Sequence, residues 1–211
     1  MLIEQSLNLI QIDPAARRPI KKIDTNVDIQ HPSYVAYLHG KYIVTRDFNR
    51  RYPEYPIEII EPHDQQSIVI VSDHSRDLPV GVIRVCLDSQ QALPITPYVM
   101  EEYRTLKNKG LKLAEVGRMF VEPHNADTYK LFMASVYRLA MDLNIDCYLI
   151  QIRTERVGMY ESLFGAIPIS ETRSCDGCTH MAWHIENTPP VFLRRFPVHA
   201  VEVAQTRREV S

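Results

Sequence analysis

The chain of 211 residues lacks several features that would assign it to a broad class at once. It has no apolar stretch long enough to span a bilayer, so we expect no transmembrane segment. Its N-terminus lacks the basic-then-apolar order of a secretion signal. Its formal net charge of -2 argues against general nucleic-acid binding. Four cysteines do not form a disulfide framework at this length, so we expect reduced thiols and a cytoplasmic location.

The composition is that of an ordinary globular protein. Apolar residues make up 45% of the chain, which is enough for a substantial core. The length suits one domain with a tail, and we divide the chain into an N-terminal arm at 1–31, a domain at 32–188 and a C-terminal tail at 189–211. The arm shows weak periodicity. The tail begins with two prolines and ends rich in arginine, so it would either dock or stay loose.

Strand and helix patterns alternate through the central domain. Strands are expected at residues 67–72, 80–87, 112–121, 145–152, 166–170 and 179–185. Helices are expected at residues 31–48, 96–109, 127–143 and 155–164, the second ended by Gly110 and the third capped by Asp127. The proline-containing stretch at 49–64 is expected to form an ordered loop or flap. This order predicts an α/β fold with a mixed central sheet flanked by helices.

The most informative segment is LAEVGRMFVEP at residues 113–123, where charged residues interrupt an apolar strand. Glu115 and Arg118 resist burial unless they are paired or in use. Strict strand alternation would place two residues at this spacing on opposite faces. Gly117 lies between them, and a bulge with one extra residue would bring both side chains to one face. We therefore predict a bulged strand that splays from its neighbour and carries an acid–base or ion-pair site.

Glu-x-x-Arg within an apolar strand resembles the core signature of the autoinducer (acyl-homoserine-lactone) synthases and the N-acyl amino acid synthases of the GNAT superfamily. The match extends to GVIR at residues 81–84, which resembles the Gly-x-x-Arg of the preceding strand in those enzymes. It also extends to MYESLFG at residues 159–165, which is similar to the end of many GNAT domains. The resemblance covers roughly residues 34–185. It implies a GNAT-like (acyl-CoA N-acyltransferase) sheet with a splayed, bulged central strand, and acyl transfer to an amine.

The resemblance also implies roles for individual residues. Glu115 would take a proton from the acceptor ammonium, and apolar walls would raise the pKa of its carboxylate towards neutrality; its alternative role is a structural pair with Arg118. Tyr160 would protonate the departing thiolate, unless it is only a core aromatic. Arg84 and Arg118 would hold the acceptor, although Arg84 fits the solvent face of a hairpin equally well. Asp64 stands where the autoinducer synthases keep an acidic residue, and it is a second candidate partner for Arg118.

The donor side departs from ordinary GNAT enzymes, which cradle the coenzyme A pyrophosphate in a glycine-rich loop. The corresponding residues 122–128 contain no glycine and place Asp127 where the pyrophosphate would lie. This favours the single phosphate of acyl carrier protein, with acyl-CoA as the alternative donor and no tightly bound cofactor. An acidic carrier protein would dock on basic residues, for which there are two candidate sets. These are Arg46, Arg50 and Arg51, or Lys130 and Arg138.

The acceptor and the acyl tunnel are less sharply defined. The Trp that precedes the Glu in the resembled family is Ala114 here, and residues 37–48 also diverge, so an amino acid is as consistent an acceptor as S-adenosylmethionine. The product would be an N-acyl amino acid or an acyl-homoserine-lactone-like signal. Candidate tunnel walls, which core packing would explain as well, are Met119, Phe132, Tyr148 and Trp183.

A zinc site has also to be considered at Cys175, Cys178, His180 and His184. The Asp-Gly pair at 176–177 is a turn signal, and the two histidines would alternate along one strand, so we expect no metal. Two other functions stay open. One is an acetyl-CoA-dependent N-acetyltransferase, and the other is a GNAT-like domain that binds a ligand without catalysis.

Overall fold

One mixed β-sheet organises the chain in a computed structural model that describes residues 8–12, 21–23, 40, 42–46, 49–50, 53, 63, 67–74, 78–89, 91–121, 126–170 and 177–196. The strands are β1 (Asn8–Ile12), β2 (Lys21–Ile23), β3 (Ser67–His74), β4 (Leu78–Leu87), β5 (Leu113–Val121), β6 (Cys147–Arg153), β7 (Ile167–Pro168) and β8 (Cys178–His184). Their order across the sheet is β2-β1-β3-β4-β5-β6-β8-β7. The pairs β1–β3 and β5–β6 are parallel and the other pairs are antiparallel.

Within the part of the chain that the structure describes, α-helices connect or cover these strands, with short 3-10 turns before some of them. They are α1 (Met100–Asn108), α2 (Ala126–Leu143), α3 (Val157–Phe164) and α4 (Pro190–Arg195), and residues 42–46 are also helical. α3 ends at Gly165, whose φ of 66° lies in the left-handed region. A Cβ there would stand 2.7 Å from the carbonyl oxygen of Asn187, so only glycine allows this close approach.

Both faces of the sheet are covered at its centre. On one face, α2 and α3 pack over a large core that includes Phe132, Tyr148 and Trp183. On the other face, α1 packs over a smaller core around Leu106 and Leu149. Because β6 lies between the two cores, its residues are apolar on both sides, which is typical of a central parallel strand.

The α/β fold with a mixed central sheet that is expected from the sequence is confirmed, and the two strands expected at 67–72 and 80–87 form a hairpin. Three local predictions were wrong. The segment expected as an arm or loop contains β1 and β2, the strand expected at 166–170 is only Ile167–Pro168, and Asp127 lies inside α2 rather than before it. Local periodicity missed the edge strands because they are short and depend on their partners. A helix is expected at residues 31–48 and a loop at 49–64, and most residues of both segments lie outside the described part of the chain.

The beginning of the predicted tail docks onto the domain. In α4 and just after it, Phe192 and Phe196 are buried, and their rings contact each other at 4.4 Å between centroids. Phe192 also packs on Trp183 of β8 at 5.3 Å. These contacts join the C-terminal segment to the larger core. No helix in the described part of the chain combines the length and apolar character needed to cross a membrane.

Candidate active site

β5 carries a bulge at the place that the sequence predicts. Val82 of β4 pairs with Phe120 and Arg84 pairs with Gly117, so two residues of β5 face one residue of β4 between these pairs. Arg118 is one of those two residues, and its φ of 51° lies in the left-handed region. A bulge of this kind bends the strand and interrupts its regular pairing.

The bulge coincides with a gap between β5 and β6. The parallel ladder runs from Leu113 opposite Cys147 to Val116 opposite Ile150, and the pairing ends there although both strands continue. A cavity of about 520 Å³ opens at this gap. Its walls include residues 115–121 of β5 and 150–153 of β6, with side chains of α2 and α3 beneath them. A volume of this size suits a small organic ligand or a linear arm.

Glu115 stands at the closed end of the gap and is 8% exposed. Its Oε2 accepts the backbone N–H of Ile95 at 2.7 Å, and its Oε1 lies 3.7 Å from Nη2 of Arg84. These contacts differ from the apolar walls expected from the sequence, and both favour the ionised carboxylate. A Cβ on Gly117 would stand 3.3 Å from Oε1, so glycine leaves room for the carboxylate beside the gap.

Arg84 and Arg118 occupy different positions relative to the cavity. Arg84 is 1% exposed and faces Glu115, so the solvent-face alternative is wrong. The structure thus pairs Glu115 with the arginine of the neighbouring strand, a contact that the Glu-x-x-Arg spacing does not predict. Arg118 lies in the bulge, is partly exposed and lines the cavity.

Tyr160 lines the cavity from α3, and its ring stacks on Phe164 with centroids 4.8 Å apart. Burial raises the pKa of the Tyr160 phenol, whereas the Arg156 guanidinium and the Tyr129 phenol act in the opposite direction. The phenol is therefore protonated at neutral pH and has two neighbours that favour its anion.

The four candidate tunnel walls divide into two pairs. Met119 and Trp183 line the cavity. Phe132 and Tyr148 are fully buried and are not part of its lining. The Tyr148 hydroxyl donates a hydrogen bond to the Val136 carbonyl at 2.9 Å, which satisfies this polar atom within the core.

The structure also separates the basic residues. Lys130 pairs with Asp127 at 2.8 Å and Arg138 pairs with Asp142 at 3.0 Å, and both basic side chains are about half exposed. Hydrogen bonding to Lys130 holds the pKa of the Asp127 carboxyl below its usual range. Arg46 lies over the Tyr42 ring, Arg50 is exposed, and Arg51 lies outside the described residues, as does Asp64.

Among the residues that line the cavity, sequence reasoning missed three long polar side chains. They are Gln151, Arg153 and Arg156, which lie at or just after the C-terminal end of β6. Ligands of open α/β sheets bind beyond the carboxyl ends of the strands, and this rule could have identified them. Together with Arg118, the two arginines place three guanidinium groups at the rim of the cavity. Arg153 lies 3.5 Å from the exposed Glu155, and such a surface pair is weak.

The candidate zinc ligands do not form a described metal site. Cys178, His180 and His184 belong to β8, and Cys175 lies outside the described residues. Within the described ranges, no three His, Cys, Asp or Glu side chains are grouped so as to hold a metal ion. His180 is instead buried, with Nδ1 2.9 Å from the Ser170 hydroxyl and its ring stacked on Tyr98 at 5.5 Å.

Comparison with known proteins places these features in a family. Residues 33–185 match the family described as N-acyl amino acid synthase FeeM. No curated protein sequence is significantly similar to the chain. Among solved structures, FeeM, an N-acyl amino acid synthase from uncultured soil microbes, superposes with a TM-score of 0.57 at 18% identity, covering 79% of this chain and 97% of FeeM.

Two further solved structures share the fold. BjaI, a CoA-dependent acyl-homoserine lactone synthase with SAM and isopentyl-CoA, has a TM-score of 0.60 at 15% identity and covers 95% of both chains. TofI, in a ternary complex with an inhibitor and MTA, has a TM-score of 0.53 at 14% identity, covering 81% of this chain and 95% of TofI. At these identities, the likeness establishes the fold alone.

Proposed function

We propose that this chain, which belongs to the FeeM family of N-acyl amino acid synthases, transfers a fatty acyl group from acyl carrier protein to the amino group of a small acceptor. The acceptor is an amino acid or S-adenosylmethionine. The product is correspondingly an N-acyl amino acid or an acyl-homoserine-lactone-like compound. The observation that carries the proposal is the cavity at the β5–β6 gap, which both Glu115 and Tyr160 line.

The gap suits a thioester delivered on a linear arm. Beyond Val116, the edge of β5 that faces β6 lies outside the β5–β6 ladder, so an extended arm can enter between the two strands. Peptide N–H groups on such an edge can stabilise the oxyanion of a tetrahedral intermediate. The apolar side chains of Met133 and Val136 lie on the α2 side of the cavity, where an acyl chain would be shielded from water.

Glu115 is the group that receives the acceptor proton. The contacts with Ile95 and Arg84 keep it ionised, which is the form that a base needs. The carboxylate would bind the acceptor ammonium and accept its proton as the amine attacks. Arg118 lies at the same cavity and is positioned to bind the carboxylate of an amino-acid acceptor, while Arg84 supports Glu115.

Tyr160 is the group that protonates the departing thiolate. It lies on the helix side of the cavity, across from Glu115 on the sheet side. An acid and a base on two sides of one thioester are the arrangement that aminolysis requires. Without a proton donor, a thiolate leaves less readily than a thiol.

The rim of the cavity supports a carrier-protein donor. The arginines of the rim would attract the single phosphate of phosphopantetheine and the acidic surface of acyl carrier protein. The pairing of Asp127 with Lys130 weakens the repulsion that we expected towards a pyrophosphate. Since BjaI is described as CoA-dependent, acyl-CoA stays as the alternative donor for this chain.

In the deciding experiment, the purified protein is incubated with two sets of donors, acyl carrier protein thioesters and CoA thioesters. Each set carries acyl chains from acetyl to long chains. The acceptor pool contains the amino acids and S-adenosylmethionine, and mass spectrometry identifies the products. We expect a long-chain N-acyl product and faster turnover from the carrier protein. Turnover of acetyl-CoA without any long-chain product would instead support an N-acetyltransferase. A protein without any acyl transfer would support a ligand-binding role.

A further inference from the structure

Tyr129 in the first turn of α2 carries a buried polar atom that packing does not explain. Its hydroxyl oxygen is inaccessible to solvent and has no hydrogen-bond partner among the described residues. A buried hydroxyl that lacks a partner is costly, and native proteins retain few of them. Phenylalanine would fill the same space without this cost, so the hydroxyl needs a reason to be there.

The neighbours of Tyr129 connect it to Tyr160. Its ring packs edge-on against Phe196, at 6.2 Å between centroids. Phe196 lies 5.8 Å from Phe164, whose ring in turn stacks on Tyr160 at 4.8 Å. A continuous series of packed rings therefore holds the two tyrosines, one on α2 and one on α3. Phe196 belongs to the docked C-terminal segment, so that segment helps to position both phenols.

We propose that Tyr129 is a positioning residue that donates a hydrogen bond to the Tyr160 oxygen when Tyr160 gives up its proton, an inference that rests on the proposed acyl transfer. In the resting structure the two phenols are close enough to shift each other's pKa. Among the described residues, however, the Tyr129 hydroxyl has no partner at hydrogen-bond distance and angle. Hydrogen bonds that act in catalysis are often long in the absence of substrate and tighten as charge develops. A negative oxygen on Tyr160 would be the partner that the Tyr129 hydroxyl lacks.

The proton balance of this step is complete. The acceptor amine attacks the thioester carbonyl, the N–C bond forms and the C–S bond breaks. The O–H proton of Tyr160 passes to the leaving sulfur, which departs as a thiol, and Tyr160 is left as a phenolate that accepts the Tyr129 hydrogen bond. Over one turnover, the ammonium loses two protons. One replaces the proton of Tyr160 through solvent, and the other leaves Glu115 for water.

The charged groups around the pair favour this direction of donation. Two guanidinium groups lower the pKa of the Tyr129 phenol: Arg156, just before α3, and Arg195, in the last turn of α4. Arg156 also lowers the pKa of Tyr160. Burial raises the pKa of both phenols. Their mutual effect is asymmetric, since Tyr160 raises the pKa of Tyr129 whereas Tyr129 lowers that of Tyr160. A positive charge beside a phenol makes its hydroxyl a stronger hydrogen-bond donor and stabilises a phenolate nearby.

The test is a double-mutant cycle on the full chain with Tyr129→Phe, Tyr160→Phe and the double variant. Tyr137→Phe is the matched control, because Tyr137 lies on the same helix and its ring packs on Trp183 and Phe192. We expect Tyr129→Phe to lower kcat about tenfold with KM and Tm unchanged or Tm raised, as for the loss of one hydrogen bond to a charged group. In the Tyr160→Phe background, the same change should have no further effect.

A second readout does not depend on acyl transfer. With tyrosine labelled by ¹³C at Cζ, NMR titration of the full chain should show Tyr160 ionising at higher pH in Tyr129→Phe and unchanged in Tyr137→Phe. An unchanged titration, or an equal loss of kcat with and without the Tyr160 hydroxyl, would overturn the inference. If the Tyr160 titration shifts as expected but no acyl product forms, the proposed function is rejected while the contact between the two tyrosines stands.

Discussion

The two halves of β5 differ in their surroundings although they belong to one strand. Leu113, Ala114 and Glu115 are buried, and this half pairs with β4 on one side and β6 on the other. Residues 117–121 are only partly buried and pair with β4 alone. The bulge at Arg118 lies close to the point where the pairing of β5 with β6 ends. The comparison shows how a single extra residue converts a structural strand into the wall of a site, because it directs the strand away from one neighbour.

The largest effect is expected where the two halves meet, at Glu115. Glu115→Gln keeps an acceptor for the Ile95 N–H but removes the negative charge that, in the proposed mechanism, accepts the proton. We expect kcat/KM to fall by about 10²–10⁴, the range typical of a lost general base. Steady-state kinetics check this, with circular dichroism to show that the fold is retained.

The matched control for this change is Glu155→Gln. Glu155 is exposed and pairs only weakly with Arg153, so its loss should leave kcat/KM within about twofold. Equal activities of Glu115→Gln and the unmodified protein would remove Glu115 from the mechanism.

The second prediction concerns the bulge itself. Arg118→Gly removes the guanidinium from the cavity but suits a φ of 51°, which glycine adopts without the strain of an L side chain. We expect the KM for an amino-acid acceptor to rise about tenfold while stability is unchanged or increases by about 0.5–1 kcal/mol. Acceptor titrations and chemical denaturation measure the two quantities separately.

Asn144→Gly is the control for the effect on stability of placing glycine at a positive φ. Asn144 has a φ of 52° in the turn after α2 and lies outside the cavity lining. The variant should be stabilised to a similar degree with KM unchanged. A normal KM in Arg118→Gly would mean that the bulge shapes the gap without contacting the acceptor.

The third prediction adds one methyl group to the open half of the strand. Gly117→Ala would bring a Cβ to 3.3 Å from the Glu115 carboxylate, which must then move by a few tenths of an ångström. We expect a several-fold loss of kcat, since a small misplacement of a catalytic group is costly. Gly158→Ala on α3 meets no atom within 4 Å, so it should add about 0.5–1 kcal/mol of stability and keep kcat. Equal kcat values for the two variants would contradict the placement of Glu115.

The smallest effect is expected on the fully paired part of the sheet, at His180. Burial lowers the pKa of His180, and Glu102 acts in the opposite direction. The unfolded chain therefore binds the proton more readily than the folded one. Stability from this histidine is complete above the ordinary pKa of about 6.5 and declines as pH falls below it, by at most about 1.4 kcal/mol per pH unit. His180→Gln should flatten the pH dependence of urea unfolding below pH 6.5, and an unchanged slope would refute this reading.

Much of the fold and part of the site could be predicted from local sequence. The bulge was predictable because Gly117 and the spacing of Glu115 and Arg118 are properties of one short segment. The partner of Glu115 was not, because Arg84 reaches it through the register of two strands. The docking of Phe192 and Phe196 was equally hidden, since the apolar surface that receives them is assembled from distant parts of the chain.

Sequence alone determined the order of strands and helices in the central domain, the bulged strand and the family to which the chain is similar, because periodicity, glycine placement and short motifs act over a few residues. Only the tertiary structure decided which charges meet, which candidate wall residues reach the cavity and which arginines stand at its rim. Those outcomes depend on strand register and on helices that are far apart in the chain. No local pattern encodes such distances, and packing alone selects among the arrangements that the local patterns allow.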